Sequence, residues 1–173
     1  MITHITDPKQ KTAIAAAILH ALPEWFGIPE STENYISESK DLPFFTCMTP
    51  KENIANNLSA NVETTANATD NDTPIGFMTL KETSPHTAEI HVCGVLKEYH
   101  RTGIGSALFH AAETYAKEHG YYFLQVKTVK KGYYREYDIT NAFYERMGFK
   151  ELECFPTLWD DANPCQIYVK SLT

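Results

Sequence analysis

Apolar positions along this chain change their period several times, and each change marks an element. A nearly unbroken apolar run, Ala13–Leu19, follows polar Lys9–Thr12 and predicts a helix over residues 8–21. Asp7 stands where a cap belongs, Pro8 suits the first helical position, and Gln10 completes a capping-box-like pattern. Pro23 and Gly27 break that helix, with the aromatic pair Trp25–Phe26 between them, and Pro29 and Glu30 open a second helix to about Ser39. Pro43–Met48, Ile75–Leu80 and Ala88–Val95 read as strands, the last two joined by a turn near Ser84–Pro85–His86. Residues 50–74 are rich in Asn, Thr, Ala, Ser and Asp and read as a polar loop.

Beyond Val95 the period lengthens. Ile104, Ala107, Leu108, Ala111 and Tyr115 fall on one face of a helix that Gly120 stops. Tyr121–Val129 reads as a strand and Lys130–Tyr137 as a polar, tyrosine-bearing connection. Asn141–Met147 is a short helix ended by Gly148, and Phe149–Phe155 and Gln166–Val169 are closing strands. The β–α–β unit at the centre predicts an α/β fold with a mixed sheet. The length suits a single domain over residues 1–173.

Composition narrows the function classes. With 43% hydrophobic and 21% charged residues a packed core is expected, not a disordered chain. The formal net charge of −7 and the lack of a basic stripe argue against a nucleic-acid partner. Cys47, Cys93, Cys154 and Cys165 are far apart and form no CxxC, so neither zinc nor a disulfide framework is expected, and a reducing, cytoplasmic setting fits. Lys9 and Lys11 before the apolar run faintly mimic a signal peptide. His20 ends that run too early for a membrane span, so no membrane association is expected. The sequons at Asn57, Asn67 and Asn71 are read as chance matches in an Asn/Thr-rich stretch.

The most informative stretch is Val95-Leu96-Lys97-Glu98-Tyr99-His100-Arg101-Thr102-Gly103-Ile104-Gly105-Ser106. A strand runs into a glycine-bearing turn where a helix begins. Helix N-termini expose unpaired N–H groups and partial positive charge, which suit a phosphate. Gly103 and Gly105 let backbone approach the anion, and Arg101 adds a charged donor. A Rossmann turn requires a third glycine where Leu108 stands, and a P-loop requires Gly-Lys-Ser/Thr, so both are disfavoured.

This stretch resembles the acetyl-CoA motif of the GNAT N-acetyltransferase superfamily: glutamine or arginine, two residues, glycine, one residue, then glycine or alanine. His100 stands at the glutamine/arginine position, a departure, while Gly103 and Gly105 match. Thr140-Asn141-Ala142-Phe143-Tyr144-Glu145-Arg146-Met147-Gly148-Phe149 resembles the superfamily's later motif, a short tyrosine-bearing helix stopped by Gly-Phe. The two matches lie in order and at fitting spacing within residues 75–150.

The resemblance implies a single-domain acyl-CoA N-acyltransferase fold, a central sheet splayed between two strands, and acetyl-CoA as co-substrate without a metal. It implies an N-acetyltransferase acting by direct attack of an amine on the thioester. The expected acceptor is a small-molecule amine such as an amino sugar, aminoglycoside or polyamine. A protein N-terminus or lysine is the alternative, as is a non-catalytic acyl-CoA-binding module; a homodimer fits the superfamily. Gly94, Val95, His100, Arg101, Thr102, Gly103, Ile104, Gly105, Ser106, Asn141 and Phe143 are then the expected cofactor-binding residues. Tyr144 is the expected proton source for the sulfur, against the reading of a core tyrosine. Glu89 and His91 are candidate bases; strict alternation puts them on one strand face with Cys93, which reads as an inert strand cysteine. Glu24, Glu30, Glu33, Glu38 and Asp41 make residues 24–41 acidic, a possible attraction for a cation or simply a solvated face.

Overall fold

The computed structural model describes residues 1–50 and 72–173. The body of the predicted polar loop and the sequons at Asn57, Asn67 and Asn71 lie outside the described residues, whereas Asp72–Pro74 already belong to a strand. In chain order the elements are β1 (Ile2–Ile5), α1 (Pro8–Leu19), α2 (Pro29–Ser39), β2 (Phe44–Pro50), β3 (Asp72–Ser84), β4 (Thr87–Val95), a short 3-10 turn (Lys97–Tyr99), α3 (Ile104–Glu118), β5 (Phe123–Val129), α4 (Arg135–Arg146), β6 (Lys150–Asp160) and β7 (Asn163–Ser171). The strands form one sheet in the order β1-β2-β3-β4-β5-β7-β6. Every pairing is antiparallel except β4 with β5, so the sheet is mixed as expected.

Helix starts follow the local chemistry. Asp7 caps α1 by accepting from the Gln10 N–H at 2.7 Å, and proline opens both α1 and α2. Buried Lys11 on α1 reaches the C-terminal end of α2. Its ammonium donates to the carbonyls of Leu42 at 2.6 Å and Lys40 at 3.3 Å, where a positive charge meets the negative end of the helix dipole.

The helices cover both faces. Ile14, Ile18 and Leu19 of α1 and Ile36 of α2 pack with Phe44, Phe77 and Val92. Leu108, Phe109, Ala112 and Ala116 of α3 and Tyr144 of α4 pack with Phe45, Leu80, Ile90, Leu124 and Tyr168 on the opposite face. The buried face of α3 is therefore rotated from the predicted one: Ala107 is exposed, while Phe109 and Ala112 are buried. Another correction concerns α4, which begins at Arg135, six residues before the expected Asn141. A third is β1, a four-residue edge strand that the hydrophobic pattern did not announce.

Candidate active site

β4 and β5 pair only from Thr87↔Phe123 to Ile90↔Val126. β4 then continues to Val95 and β5 to Val129 without pairing to each other, so the sheet splays as the resemblance implied. Beyond Ile90, β4 stays paired to β3 through Cys93, Gly94 and Val95, and its other edge faces the cleft. Unpaired strand edges offer N–H and C=O groups to an extended ligand.

A bulge lies in β4 at this point. Three residues of β3, from Met78 to Leu80, face four of β4, from Cys93 back to Ile90. Alternation slips there. His91 contacts α2, Val92 belongs to the α1/α2 core, and Cys93 packs into the α3/α4 core. The expectation that Glu89, His91 and Cys93 share one face is thereby overturned for Cys93.

The turn after β4 is held from both ends. The His100 imidazole donates Nε2–H to the Val95 carbonyl at 2.7 Å, and the Thr102 hydroxyl donates to Tyr99 O at 2.7 Å. His100, at the departing position, thus braces the turn against the end of β4. Arg101 (φ 64°) and Gly103 (φ 92°) are both left-handed. For a non-glycine residue that conformation costs on the order of 1 kcal/mol, a strain found preferentially at functional sites. Gly103 is the N-cap of α3 and no side chain caps the helix, so its first N–H groups are available to an anion. Thr102, Ile104 and Ser106 lie within this same turn and first helical residues. A Cβ on Gly105 would come 3.4 Å from the Phe143 ring, so the start of α3 and α4 meet closely.

On the α1/α2 side of the sheet, Glu89 is nearly buried. One carboxylate oxygen accepts from Lys127 Nζ at 2.6 Å and Gln125 Nε2 at 2.7 Å, and the other lies 3.8 Å from His91 Nδ1. Burial alone pushes this carboxyl up. The bonds from His91, Lys127 and Gln125 outweigh it and hold the group at about 2. His91 Nε2 lies 2.7 Å from a Glu38 oxygen without aiming its ring N–H at it, and Lys81 meets the same oxygen at 2.9 Å. Lys81 chiefly, then His91, hold the Glu38 carboxyl below its ordinary range against a smaller opposing effect of burial.

On the α3/α4 side Tyr144 is 4% exposed, and its hydroxyl lies 3.6 Å from Cys93 Sγ. Burial first, then Cys93, Tyr137 and Glu89, push the phenol well above its ordinary value. Burial also pushes the Cys93 thiol up, with Tyr144 opposing it in part. Asn141 is fully buried. Its amide donates to Val129 O at 3.0 Å and Tyr137 O at 2.7 Å, while its Oδ1 has no partner among the described residues.

Several contacts of the cleft were not readable from sequence. Tyr137 donates its hydroxyl to Trp25 O at 2.7 Å, and Trp25 Nε1 donates to Thr140 Oγ1 at 3.2 Å and Glu136 O at 3.3 Å. The Trp25 ring meets His100 edge-on at 5.8 Å. The α1–α2 loop is thereby tied to both the glycine turn and α4. The aromatic pair Trp25–Phe26 was visible as a pattern; its partners more than 70 residues away were not.

Residues 19–149 match the family described as Acetyltransferase (GNAT) family. A curated relative from Chlorobaculum tepidum, an uncharacterized N-acetyltransferase, is 35% identical over 94 residues, which cover 53% of this chain and 51% of that protein. The chain thus spans about half the length of that relative. Among solved structures, a GNAT family acetyltransferase from Elizabethkingia anophelis with acetyl-CoA bound superposes with a TM-score of 0.65 at 15% identity, covering 99% of this chain and 97% of that one. The aminoglycoside 6'-N-acetyltransferase from Enterococcus faecium superposes with a TM-score of 0.66 at 17% identity, over 100% and 97% of the two chains. At these identities the structural likeness establishes the fold.

Proposed function

The chain belongs to the acetyltransferase (GNAT) family, and from that premise we propose that residues 1–173 form one domain that transfers the acetyl group of acetyl-CoA to a primary amine of a small molecule. The observation that carries this reading is the open edge of β4 running from the splay into an uncapped, glycine-bearing helix start. Pantetheine is an extended chain with two amides and suits the strand edge; the pyrophosphate suits the turn from His100 to Ser106. Gly94 and Val95 supply backbone groups along that path, Asn141, whose buried Oδ1 is unpartnered among the described residues, is assigned to the pantetheine arm, and Phe143 backs the turn. Among the described residues no cluster of side chains suits a metal, and no helix is long and apolar enough to cross a membrane. Four free cysteines fit a reducing compartment, and we place the protein in the cytoplasm.

In the reaction the neutral amine attacks the thioester carbonyl carbon. A C–N bond forms, the C–S bond breaks, and the thiolate takes a proton. Tyr144 lies on the α3/α4 side of the splay and gives that proton to sulfur; its phenolate is restored by the proton that the nitrogen sheds as the amide forms. The pair Glu89–His91 lies on the other side and takes the proton that the acceptor ammonium must lose. Glu89 stays anionic and holds the ammonium or an intervening water, and the imidazole receives the proton. At 17% identity or less, the structural neighbours leave the acceptor to be read from the cleft's own residues.

The test is incubation of the purified protein with acetyl-CoA and a panel of amines, followed by mass spectrometry. Acetylated amine with free CoA in equal amount supports the reading. Tight acetyl-CoA binding with no product on any amine or protein would favour the non-catalytic module, and no binding would remove the basis of the proposal. Within this reading, Gly103→Ala forces a Cβ into the left-handed region and costs about 1 kcal/mol in the turn. It is expected to raise the KM for acetyl-CoA about fivefold with kcat nearly unchanged, since the strain falls on phosphate binding rather than on chemistry.

A further inference from the structure

We infer that the acceptor is a monoamine with a flat, apolar body, not a polyamine or a multiply charged amino sugar; this rests on the acetyl-transfer reading above and names its substrate class. A polycation needs one unengaged carboxylate for each extra ammonium that it brings out of water, because a desolvated charge without a partner is costly. The carboxylates facing the α1/α2 side of the splay are already matched by the chain's own cations. Glu89 holds Lys127 at 2.6 Å, and Glu38 holds Lys81 at 2.9 Å and contacts His91 at 2.7 Å. Two more of the acidic set at residues 24–41 are engaged as well, Glu33 with His20 at 2.8 Å and Glu24 with Lys97. Three of the five carboxylates in the acidic stretch, Glu24, Glu33 and Glu38, are therefore already engaged by basic side chains of the chain itself.

What the cleft offers instead is ring surface. Tyr35 on α2 meets His91 edge-on at 5.4 Å and Phe26 at 6.2 Å. Tyr137 on α4 is joined to Trp25 by its hydroxyl and stands 6.1 Å from the Tyr134 ring. The phenols also feel one another across the cleft. Burial, then Tyr35 and Tyr134, push Tyr137 up to about 12, and burial followed by Glu89 and Glu38 raises Tyr35. Trp25, Phe26, Tyr35 and Tyr137 are all only partly buried, so each keeps ring area for a ligand. Aromatic walls bind a flat body by offset or edge contact, and they tolerate one ammonium by cation–π attraction. The single ammonium then ends beside Glu89 and His91, where the reaction needs it deprotonated.

The experiment compares 2-phenylethylamine, hexylamine and spermidine as acceptors, each at low and high salt. The expected kcat/KM is about tenfold higher for 2-phenylethylamine than for spermidine, and it changes little with salt because ring contacts are not screened. Tyr35→Ala is expected to lower kcat/KM for 2-phenylethylamine about fivefold. Tyr35→Phe restores it, hexylamine is affected less, and the dissociation constant for acetyl-CoA stays unchanged in both variants. Spermidine as the better acceptor, with a rate that falls steeply with salt, would overturn the inference and leave acetyl transfer standing. An equal loss for all three amines in Tyr35→Ala would overturn it too. Acetyl-CoA binding without acetylation of any amine would instead bring down the transfer reading, and this inference with it.

Discussion

Lys127→Met is expected to lower the thermal midpoint by about 3–8 °C at pH 7, because it strands a buried carboxylate. Lys127 and Gln125 share one oxygen of Glu89, and Lys127 brings a full positive charge to it at 2.6 Å. Removing one partner of a well-buried ion pair typically costs several kcal/mol. Lys127 is a third exposed, so water softens the loss to about 1–3 kcal/mol. The sign with pH follows from the depressed carboxyl. Glu89 titrates at about 2 when folded, against an ordinary 4.5, so its stabilisation is fully present above pH 4.5 and is lost as pH falls through 2. In Lys127→Met the counter-charge is gone and burial pushes the carboxyl upward. The gap between the two proteins is therefore widest at neutral pH and closes as pH falls from the variant's raised carboxyl value through 2. Thermal melts across that range decide the matter: a gap that does not change with pH would mean that Lys127 contributes only packing.

That network also shows where the sequence stops being informative. Glu89 and His91 were visible as candidates, since they stand on a recognisable strand two residues apart. Their partners were not, because Gln125 and Lys127 reach Glu89 only through the parallel register Glu89↔Gln125, which pairs residues 36 positions apart. Local chemistry was more transparent. The Asp7 cap, the prolines opening α1 and α2, and the glycine-bearing turn into α3 are decided by a few neighbouring residues and were readable as such. The second helix was legible at both ends for the same reason.

Failures came where tertiary contacts override the local pattern. Strict alternation along β4 placed Cys93 beside Glu89, but one extra residue between Ile90 and Cys93 turns the cysteine to the opposite face, towards Tyr144. No composition signal marks that bulge. The first turn of α4 carries Tyr137, a residue type that favours strands, directly after the extended N-cap Tyr134. It becomes helical where Tyr137 and the Glu136 carbonyl find Trp25 more than 100 residues away. β1 is four residues long and exists through its pairing with β2, so its own pattern was too short to read.

The bulge that moved Cys93 gives Tyr144→Phe its meaning. The variant is expected to lower kcat about 100-fold, the lower end of what a positioned general acid contributes. A phenol held well above its ordinary value looks at first too weak an acid for a thiolate leaving group. The adjacent thiol answers that objection: burial pushes Cys93 up in the same pocket, and it would push a departing CoA thiolate up in the same way. Burial thus moves donor and acceptor in the same direction, so the raised phenol alone does not exclude the transfer. Folding should hardly change, because among the described residues the Tyr144 hydroxyl has only the Cys93 sulfur as a partner, and the ring contacts with Phe143, Phe149 and Tyr168 survive in phenylalanine. The KM for acetyl-CoA should stay within about twofold, since the lost group acts in the transition state rather than in binding. Unchanged kcat in Tyr144→Phe, with the thermal midpoint also unchanged, would make Tyr144 a core residue and leave the sulfur to take its proton from water.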